Sequence, residues 1–168
     1  MKTIAPRRLA ALASAALFAV AALTACSPST PAAPATPTIA DPWVKAVPEL
    51  MPEMNMTALF GVVSNPGDET IYLTGGTVTD ATLTATKLDA HEVVKGADGK
   101  MKMQEVKAGI PVPAHGSVTL KPGSFHIMFW DLKKPITVGE NVDVTLNFSN
   151  GSTLKVTAVS RDIANYAG

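Results

Sequence analysis

Residues 142–160 read VDVTLNFSNGSTLKVTAVS, two runs rich in Val, Thr and Leu on either side of a short turn. β-branched residues of this kind favour strands. Asn150-Gly151 is the strongest hairpin signal in the chain, because Asn and Gly accept the two positive φ angles of a type I′ turn. The stretch therefore predicts two antiparallel strands, Val142–Phe148 and Thr153–Ser160, joined by a type I′ turn.

Further segments of similar composition precede this hairpin, and turn signals such as Asn65-Pro66-Gly67-Asp68 and Pro111-Val112-Pro113 separate them. No long amphipathic helix and no internal repeat is evident. Regularly spaced short strands are typical of a sandwich or barrel. We expect an all-β fold, a single Greek-key β-sandwich domain over 41–168. Its other predicted strands are Trp43–Val47, Thr57–Ser64, Thr70–Val78, Thr82–Val94, Met101–Val106, Ser117–Lys121 and Ser124–Asp131.

The first 25 residues have the pattern of a secretory signal. Lys2, Arg7 and Arg8 precede an apolar stretch from Leu9 to Ala25 that is built mostly of Ala and Leu. A basic start followed by a short apolar core is typical of a signal peptide, and the apolar stretch is too short and Ala-rich for a good membrane span. Residues 1–25 are therefore predicted to be a signal peptide.

The exit of this signal reads Leu23-Thr24-Ala25-Cys26, which resembles the bacterial lipobox, where the Cys carries the lipid. Pro, Ala, Ser and Thr dominate residues 26–40, a composition that predicts an extended tether. We therefore expect a protein anchored to a membrane through a lipid on Cys26. It would lie in the bacterial cell envelope, in the periplasm or on the outer face of the cytoplasmic membrane.

Composition excludes several classes of function. Cys26 is the only cysteine, so an internal disulfide is impossible and no other thiolate can bind a metal. Three of the 14 basic residues and none of the 14 acidic ones lie in the first 25 residues, so the rest of the chain has a net charge of 11 − 14 = −3, and nothing in it suggests nucleic-acid binding, which needs a basic stripe. We find no nucleophile–base pair, no paired carboxylates and no phosphate loop, and we expect a monomer without enzymatic activity.

The methionines and histidines are grouped. Met101 and Met103 lie two residues apart, Met128 ends the tripeptide His126-Ile127-Met128, and His91 lies ten residues before Met101. Thioether sulfur and imidazole nitrogen without thiolate suit Cu(I) better than zinc, calcium or magnesium. This donor set points to a copper-handling protein.

Strand geometry predicts that these donors meet. Residues two apart in a strand share a face, so His126 and Met128 project together, as do Met101 and Met103. A hairpin across Lys95–Lys100 would bring His91 opposite the Met pair. The predicted site is two imidazoles and two thioethers at one rim of the sandwich. The alternative is ordinary: a single Met usually packs in a core and a single His usually lies at the surface.

Other residues allow two interpretations. Met51, Met54 and Met56 form either an accessory copper platform or hydrophobic packing near the site. Trp130 shares the face of Met128 and either shields the site or packs in the core. His115, in a Pro-Ala-His-Gly turn, is expected to be exposed, and Trp43 to be a core residue.

From Trp43 to Val159 the chain resembles the PCu(A)C family of periplasmic copper chaperones. The family pattern is a His, a Met after a short hairpin, and then His-x-Met. The stretches that carry the resemblance are His91-Glu92-Val93-Val94, Gly99-Lys100-Met101-Lys102-Met103, Ile110-Pro111-Val112-Pro113-Ala114, Leu120-Lys121-Pro122-Gly123-Ser124-Phe125-His126-Ile127-Met128 and Leu132-Lys133-Lys134-Pro135-Ile136-Thr137-Val138-Gly139-Glu140.

The resemblance implies a cupredoxin-like β-sandwich that binds Cu(I) outside the cytoplasmic membrane and passes it on. The receiver it implies is the copper centre of cytochrome c oxidase, reached directly or through another copper-carrying protein. Carried over residue by residue, the metal positions are His91, Met103, His126 and Met128. The spacing on each side of Met103 is one residue longer than in the family, so Met101 is an alternative ligand, and Met56 is a further possible one.

Two other functions compete with copper delivery. A non-metal, Ig-like envelope lipoprotein for adhesion or assembly fits the same architecture, because a fold does not determine a function. An electron-transfer blue-copper protein would need a Cys thiolate in a His₂Cys site, and Cys26 belongs to the predicted lipid anchor. A non-metal lipoprotein would not bind copper stoichiometrically. A blue-copper protein would show intense visible absorption in its Cu(II) form.

Overall fold

Strands make up most of the chain that the structure describes. The computed structural model describes residues 36–52, 55–80, 83 and 88–165. Within these ranges there are ten strands, followed by a 3-10 helix at Ile163–Asn165. The strands are β1 Thr38–Lys45, β2 Thr57–Asn65, β3 Ile71–Val78, β4 Leu88–Lys95, β5 Met101–Glu105, β6 Ile110–Val112, β7 Gly116–Leu120, β8 His126–Phe129, β9 Asn141–Phe148 and β10 Thr153–Arg161.

The strands follow the hydrogen-bonded order β5-β4-β8-β2-β1-β10-β9-β3-β6, with β7 beside β2. β3 also pairs with β4, so the path turns back on itself around one apolar core. Only β1 and β10 run parallel among the named strand pairs of the described chain. The prediction of an all-β fold is confirmed. Fully buried core side chains include Leu59, Leu73, Leu88, Ile110, Ile127, Phe129, Ile136 and Leu146.

The β9–β10 hairpin forms as predicted, but its turn type is different. Gly151 has a positive φ of 81°, whereas Asn150 is not among the described residues with positive φ. The Gly151 N–H donates to the Phe148 carbonyl at 3.0 Å, and the Phe148 N–H donates to the Ser152 carbonyl at 3.0 Å. The loop thus has three residues, with glycine in the left-handed position that follows a type I turn. Asn150 Oδ1 accepts the Ser152 N–H at 3.0 Å, which stabilises this alternative.

The largest differences from the predicted strands lie at β1, β4 and β6. β1 begins at Thr38 rather than Trp43, because Thr38–Ala40 of the predicted tether pair with Ser64–Val62 of β2. The predicted strand Thr82–Val94 is interrupted at Leu83, which lies in a turn; β4 is Leu88–Lys95, and residues 82 and 84–87 lie outside the described residues. Pro111, predicted to lie in a turn, belongs to β6 opposite Tyr72. β6 ends the sheet order, where proline's missing N–H breaks no ladder bond.

Glycine makes the corner between β3 and β4 possible. Gly75, at φ 139°, lies opposite Asp89, and a Cβ at this position would be 2.1 Å from the Leu88 carbonyl oxygen. No side chain fits at such a distance, so Gly75 is required for β3 to pair with β4. This corner positions the first half of β4 against the sheet.

Gly75→Ala is expected to lower the free energy of unfolding by roughly 3 kcal/mol or more, because it adds overpacking to backbone strain. Gly123→Ala is the matched control: Gly123 also has a positive φ, 75°, but its Cβ would meet nothing within 4 Å. It should cost only about 1–2 kcal/mol. Urea denaturation measures both, and equal losses would contradict the steric role of the corner.

Candidate metal centre

The pairing of β4 with β8 brings the two histidines together. His91 lies directly opposite His126, and Asp89 lies directly opposite Met128. Directly opposed residues share a face of the sheet, so both histidines and Met128 project from one surface. Ile127 and Ala90, which alternate with them, pack in the core. The prediction that His126 and Met128 share a face is confirmed.

The pairing of β4 with β5 differs from the expectation for His91. Glu105, not the Met pair, lies opposite His91, while Met103 lies opposite Val93 and Met101 opposite Lys95. The strand that carries the Met pair is therefore displaced along β4 toward the turn. Met103 is still a diagonal neighbour of His91 on the same face, within reach of a long side chain.

Among the described contacts, Met103 touches His126 and Met101 touches neither histidine. The Met103 Sδ lies 3.1 Å from the His126 Nε2. Met101 pairs with Lys95 near the turn, and its side chain is 61% exposed, compared with 42% for Met103. The geometry thus distinguishes two methionines that the sequence spacing left as alternatives.

A backbone carbonyl orients the His126 ring. The His126 Nδ1 lies 2.9 Å from the Ser124 carbonyl oxygen, which can only accept a hydrogen bond. Nδ1 therefore carries the proton, and the Nε2 lone pair is directed at the Met103 sulfur. Such a contact with a carbonyl fixes the tautomer and orientation of metal-binding histidines.

The second ring has an unsatisfied nitrogen. His91 Nδ1 is buried and has no hydrogen-bond partner among the described residues. The His91 and His126 ring centroids lie 6.0 Å apart, with planes inclined by 30°. Buried polar atoms without a partner are rare and call for an explanation. A bound ion is one such explanation, because it would use the lone pair that Nδ1 has in the tautomer protonated at Nε2.

Burial lowers the pKa of both imidazoles and so favours their neutral form. Desolvation is the main cause that lowers the pKa of His91, and the neighbouring charge of His126 adds to it, against the opposing effect of Asp89 and Glu105. Desolvation also lowers the pKa of His126, partly offset by the bond to Ser124. Neutral imidazoles can bind a cation without first losing a proton.

An apolar cluster surrounds the donors on this outer face. Trp43, Ala58, Phe60 and Met128 are buried together, with Met56 and Trp130 packed against them. The Trp43 and Phe60 ring centroids are 4.5 Å apart, and Phe60 lies 6.3 Å from the His126 ring. The Trp130 and His91 ring centroids are 5.5 Å apart, and the two ring planes are inclined by 64°, an edge-to-face arrangement. The cluster limits the access of water to the donors.

Trp130 therefore lies beside the site rather than in the main core, and Trp43 packs in this second cluster. The sequence did not identify Phe60 or the Ser124 carbonyl as parts of the site. The position of Ser124 two residues before His126 was visible, but the hydrogen bond depends on the turn geometry. His115 is exposed as predicted, with its Nε2 2.9 Å from an Asp68 oxygen.

A groove of about 650 Å³ opens beside the donors. Met103, His126 and Met128 line it, and so do Met51 and Met56. Of the described residues that line the groove, only Lys45 and Glu49 carry a full charge at neutral pH. A molecule approaching an ion at the donors would therefore pass along a groove whose walls are mostly apolar and rich in methionine sulfur.

The donors suit a soft cation. Two imidazole nitrogens and the sulfurs of Met103 and Met128 are uncharged, polarisable ligands. No group of three or more His, Cys, Asp or Glu side chains that could hold a metal occurs in the described ranges. The free His91 Nδ1 and the close Nε2–Sδ contact both fit an ion held by nitrogen and sulfur.

Several predicted features lie outside the described residues: the signal peptide 1–25, most of the tether 26–40, Cys26 and Met54. In the part of the chain that is described, no helix is both long and apolar enough to span a bilayer.

Comparison with known proteins identifies a family. The family described as "Putative lipoprotein LpqE-like" matches residues 37–160. A protein of Leifsonia xyli subsp. xyli (strain CTCB07), named "Putative lipoprotein Lxx21020", is 38% identical to this chain over 134 residues. The match covers 77% of this chain and 75% of that protein.

Solved structures share the fold. The copper-bound PCuAC domain from PmoF2 is 22% identical with a TM-score of 0.54, covering 77% of this chain and 96% of that domain. A metal-free solution structure from Deinococcus radiodurans is 28% identical with a TM-score of 0.51, covering 94% of this chain and 96% of that one. The predicted cupredoxin-like fold and the resemblance to PCu(A)C domains are confirmed.

The two lowered histidine pKa values predict a pH dependence of stability. Below pH 6.5, the ordinary value, the unfolded chain takes up protons that the folded site resists, so stability falls as the pH falls. Each histidine contributes at most about 1.4 kcal/mol per pH unit. Urea denaturation of the metal-free protein between pH 5 and 8 measures this slope.

The double variant His91→Gln/His126→Gln should have a shallower slope below pH 6.5 and the wild-type slope above pH 7.5. The difference between the two proteins isolates the histidines from other titrating groups. The free energy of unfolding of the wild type minus that of the variant is expected to fall as the pH falls below 6.5. If this difference stays constant or rises, the rings are not buried in their neutral form.

Proposed function

The chain belongs to the LpqE-like lipoprotein family, and we propose that it is a Cu(I) chaperone of the bacterial cell envelope. It takes up Cu(I) and passes it to another protein. The copper-bound PmoF2 domain and the Cu(I) form of the Deinococcus radiodurans protein, which is 27% identical with a TM-score of 0.50, support this proposal. The observation that carries it is the 3.1 Å contact of Met103 Sδ with His126 Nε2 beside the unpartnered His91 Nδ1.

The proposed ligands are His91, Met103, His126 and Met128. Three strands supply them: β4 carries His91, β5 carries Met103, and β8 carries the other two. His91 and Met128 are buried, whereas Met103 is 42% exposed. The set thus has a fixed inner part and one accessible thioether at the edge strand.

Charge explains how such a site both holds and releases its ion. Four neutral ligands leave the complex with the single positive charge of Cu(I), and the depressed histidine pKa values mean that few protons compete. Thioethers are weak donors that exchange readily, whereas thiolates are strong ligands for Cu(I). A receiver that offers thiolates would therefore remove the ion.

The accessible thioether suggests where release begins. Met103 lies on β5, the terminal strand of the sheet order, and lines the groove together with His126 and Met128. A receiver that docks there can place its own ligands near the ion before the buried ligands dissociate. The proposed receiver is the copper centre of cytochrome c oxidase, reached directly or through another copper-carrying protein.

Membrane attachment completes the proposal. The lipoprotein family supports a location in the cell envelope. We propose that Cys26 carries the lipid and that the Pro- and Ala-rich residues after it hold the domain off the membrane. The chaperone would then work as a monomer in the periplasm or on the outer face of the cytoplasmic membrane.

Met103→Leu and Met101→Leu form a matched pair that tests the ligand assignment. Both residues lie on β5 and on the same face, but only Met103 contacts a histidine. Met103→Leu should weaken Cu(I) binding by about 10- to 100-fold, while Met101→Leu should change it less than about twofold. Competition with a chromophoric Cu(I) chelator under anaerobic conditions gives the affinities.

His126→Ala combined with Met128→Ala removes both ligands of β8 and should abolish tight Cu(I) binding. Cu(I) binding as tight as that of the wild type in this double variant would refute the proposed site. Far-UV circular dichroism checks that the β fold persists. Loss of binding after Met101→Leu, with Met103→Leu unaffected, would reverse the assignment of the two methionines.

A further inference from the structure

The groove contains two thioethers that the four-ligand site does not use. Met51 and Met56 line the same cavity as Met103, His126 and Met128. They lie in the segment between β1 and β2, far in sequence from the other donors. Five sulfur or imidazole side chains therefore face one apolar space.

Met56 occupies a defined position beside Met128. In the β2–β8 pairing, Thr57 lies opposite Phe129 and Ala58 opposite Met128. Met56 precedes Thr57, so it continues the alternation on the face of Ala58 and Met128. Consistent with this, Met56 packs against the cluster that contains Met128 and Phe60.

Backbone hydrogen bonds hold this segment at both ends. Val47 and Ile136 exchange two N–H···O bonds of 2.9 Å at its start. At its end, the Leu132 N–H donates to the Asn55 carbonyl at 2.8 Å, and the Thr57 hydroxyl donates to the Lys45 carbonyl at 2.6 Å. Leu132 follows β8 closely, so the end of the segment is tied to the strand that carries His126 and Met128.

Packing accounts for Met56 but not for Met51. Met51 is 54% exposed although it lines an apolar groove. A large apolar side chain held half in water at the mouth of a groove gains little from burial. A thioether in that position gains instead if it binds a soft ion.

We propose that Met51 and Met56, together with Met128, form a second and weaker site for a soft monovalent cation, through which Cu(I) enters the four-ligand site. The inference rests on the proposed function and extends it. Met128 belongs to both ligand sets, so an ion bound by the three thioethers passes inward when the imidazoles of His126 and His91 replace Met51 and Met56. Only ligand exchange is involved, with no change of oxidation state.

The absence of a strong donor keeps the affinity of this second site low. Glu49 lines the groove and can offset the charge of an arriving cation, whereas Lys45, which also lines it, opposes that effect. Three thioethers without an imidazole bind less tightly than the mixed set, so the ion moves toward the histidines. The exposed Met51 marks the outer end of this path, and the buried His91 the inner end.

Ag(I), a soft monovalent ion without redox chemistry at thioethers, tests the second site in the full chain with His91→Gln/His126→Gln. The four-ligand site is then disabled, and weak Ag(I) binding should persist. With ¹³C-methyl-labelled methionine, the assigned methyl signals of Met51, Met56 and Met128 should shift during the titration, while that of Met101 should stay. Adding Met51→Leu/Met56→Leu should remove the residual binding, with a fall of about tenfold or more in affinity.

The matched control adds Met101→Leu to the same histidine variant and should leave Ag(I) binding within about twofold. Stationary Met51 and Met56 signals, or residual binding that survives Met51→Leu/Met56→Leu, would overturn the second site. A wild-type protein without tight Cu(I) binding would instead overturn the proposed function, so the two failures are distinguishable.

Discussion

The pairing register of β4 and β8 is the constraint on which the site depends. It places His91 opposite His126 on the outer face, while Ala90 and Ile127 enter the core from the other face. Strand side chains alternate with a period of two, so a shift of one residue would exchange these faces completely. The apolar core therefore enforces the register, and the register brings the donors together.

A site on the outer face needs its own protection from water, and the second apolar cluster supplies it. Trp43, Phe60 and Trp130 surround the imidazoles, and this burial lowers the pKa of both histidines. A position inside the main core would have enclosed the donors on all sides. On this face, β5 and the groove leave one thioether and an apolar path accessible, which suits a protein that must release what it binds.

Sequence patterns predicted the parts of the structure that depend on local chemistry. The His126-Ile127-Met128 alternation implied a shared face, and the residues 142–160 implied a hairpin, since both follow from short-range geometry. The turn type was wrong because an Asn150 side-chain bond favours a three-residue loop. β6 escaped detection since Pro111 is tolerated only at a sheet edge, which is a property of topology. Likewise, the choice between Met101 and Met103 required the β4–β5 register, and the unpartnered His91 Nδ1 required coordinates.

X-ray absorption spectroscopy of the Cu(I)-loaded protein, prepared without oxygen, tests the central claim most directly. The account predicts a mixed first shell around copper, with two sulfur and two nitrogen neighbours from the two methionines and the two histidines. A shell of oxygen and nitrogen without sulfur, or of sulfur alone, would contradict the convergence of these four side chains on one ion.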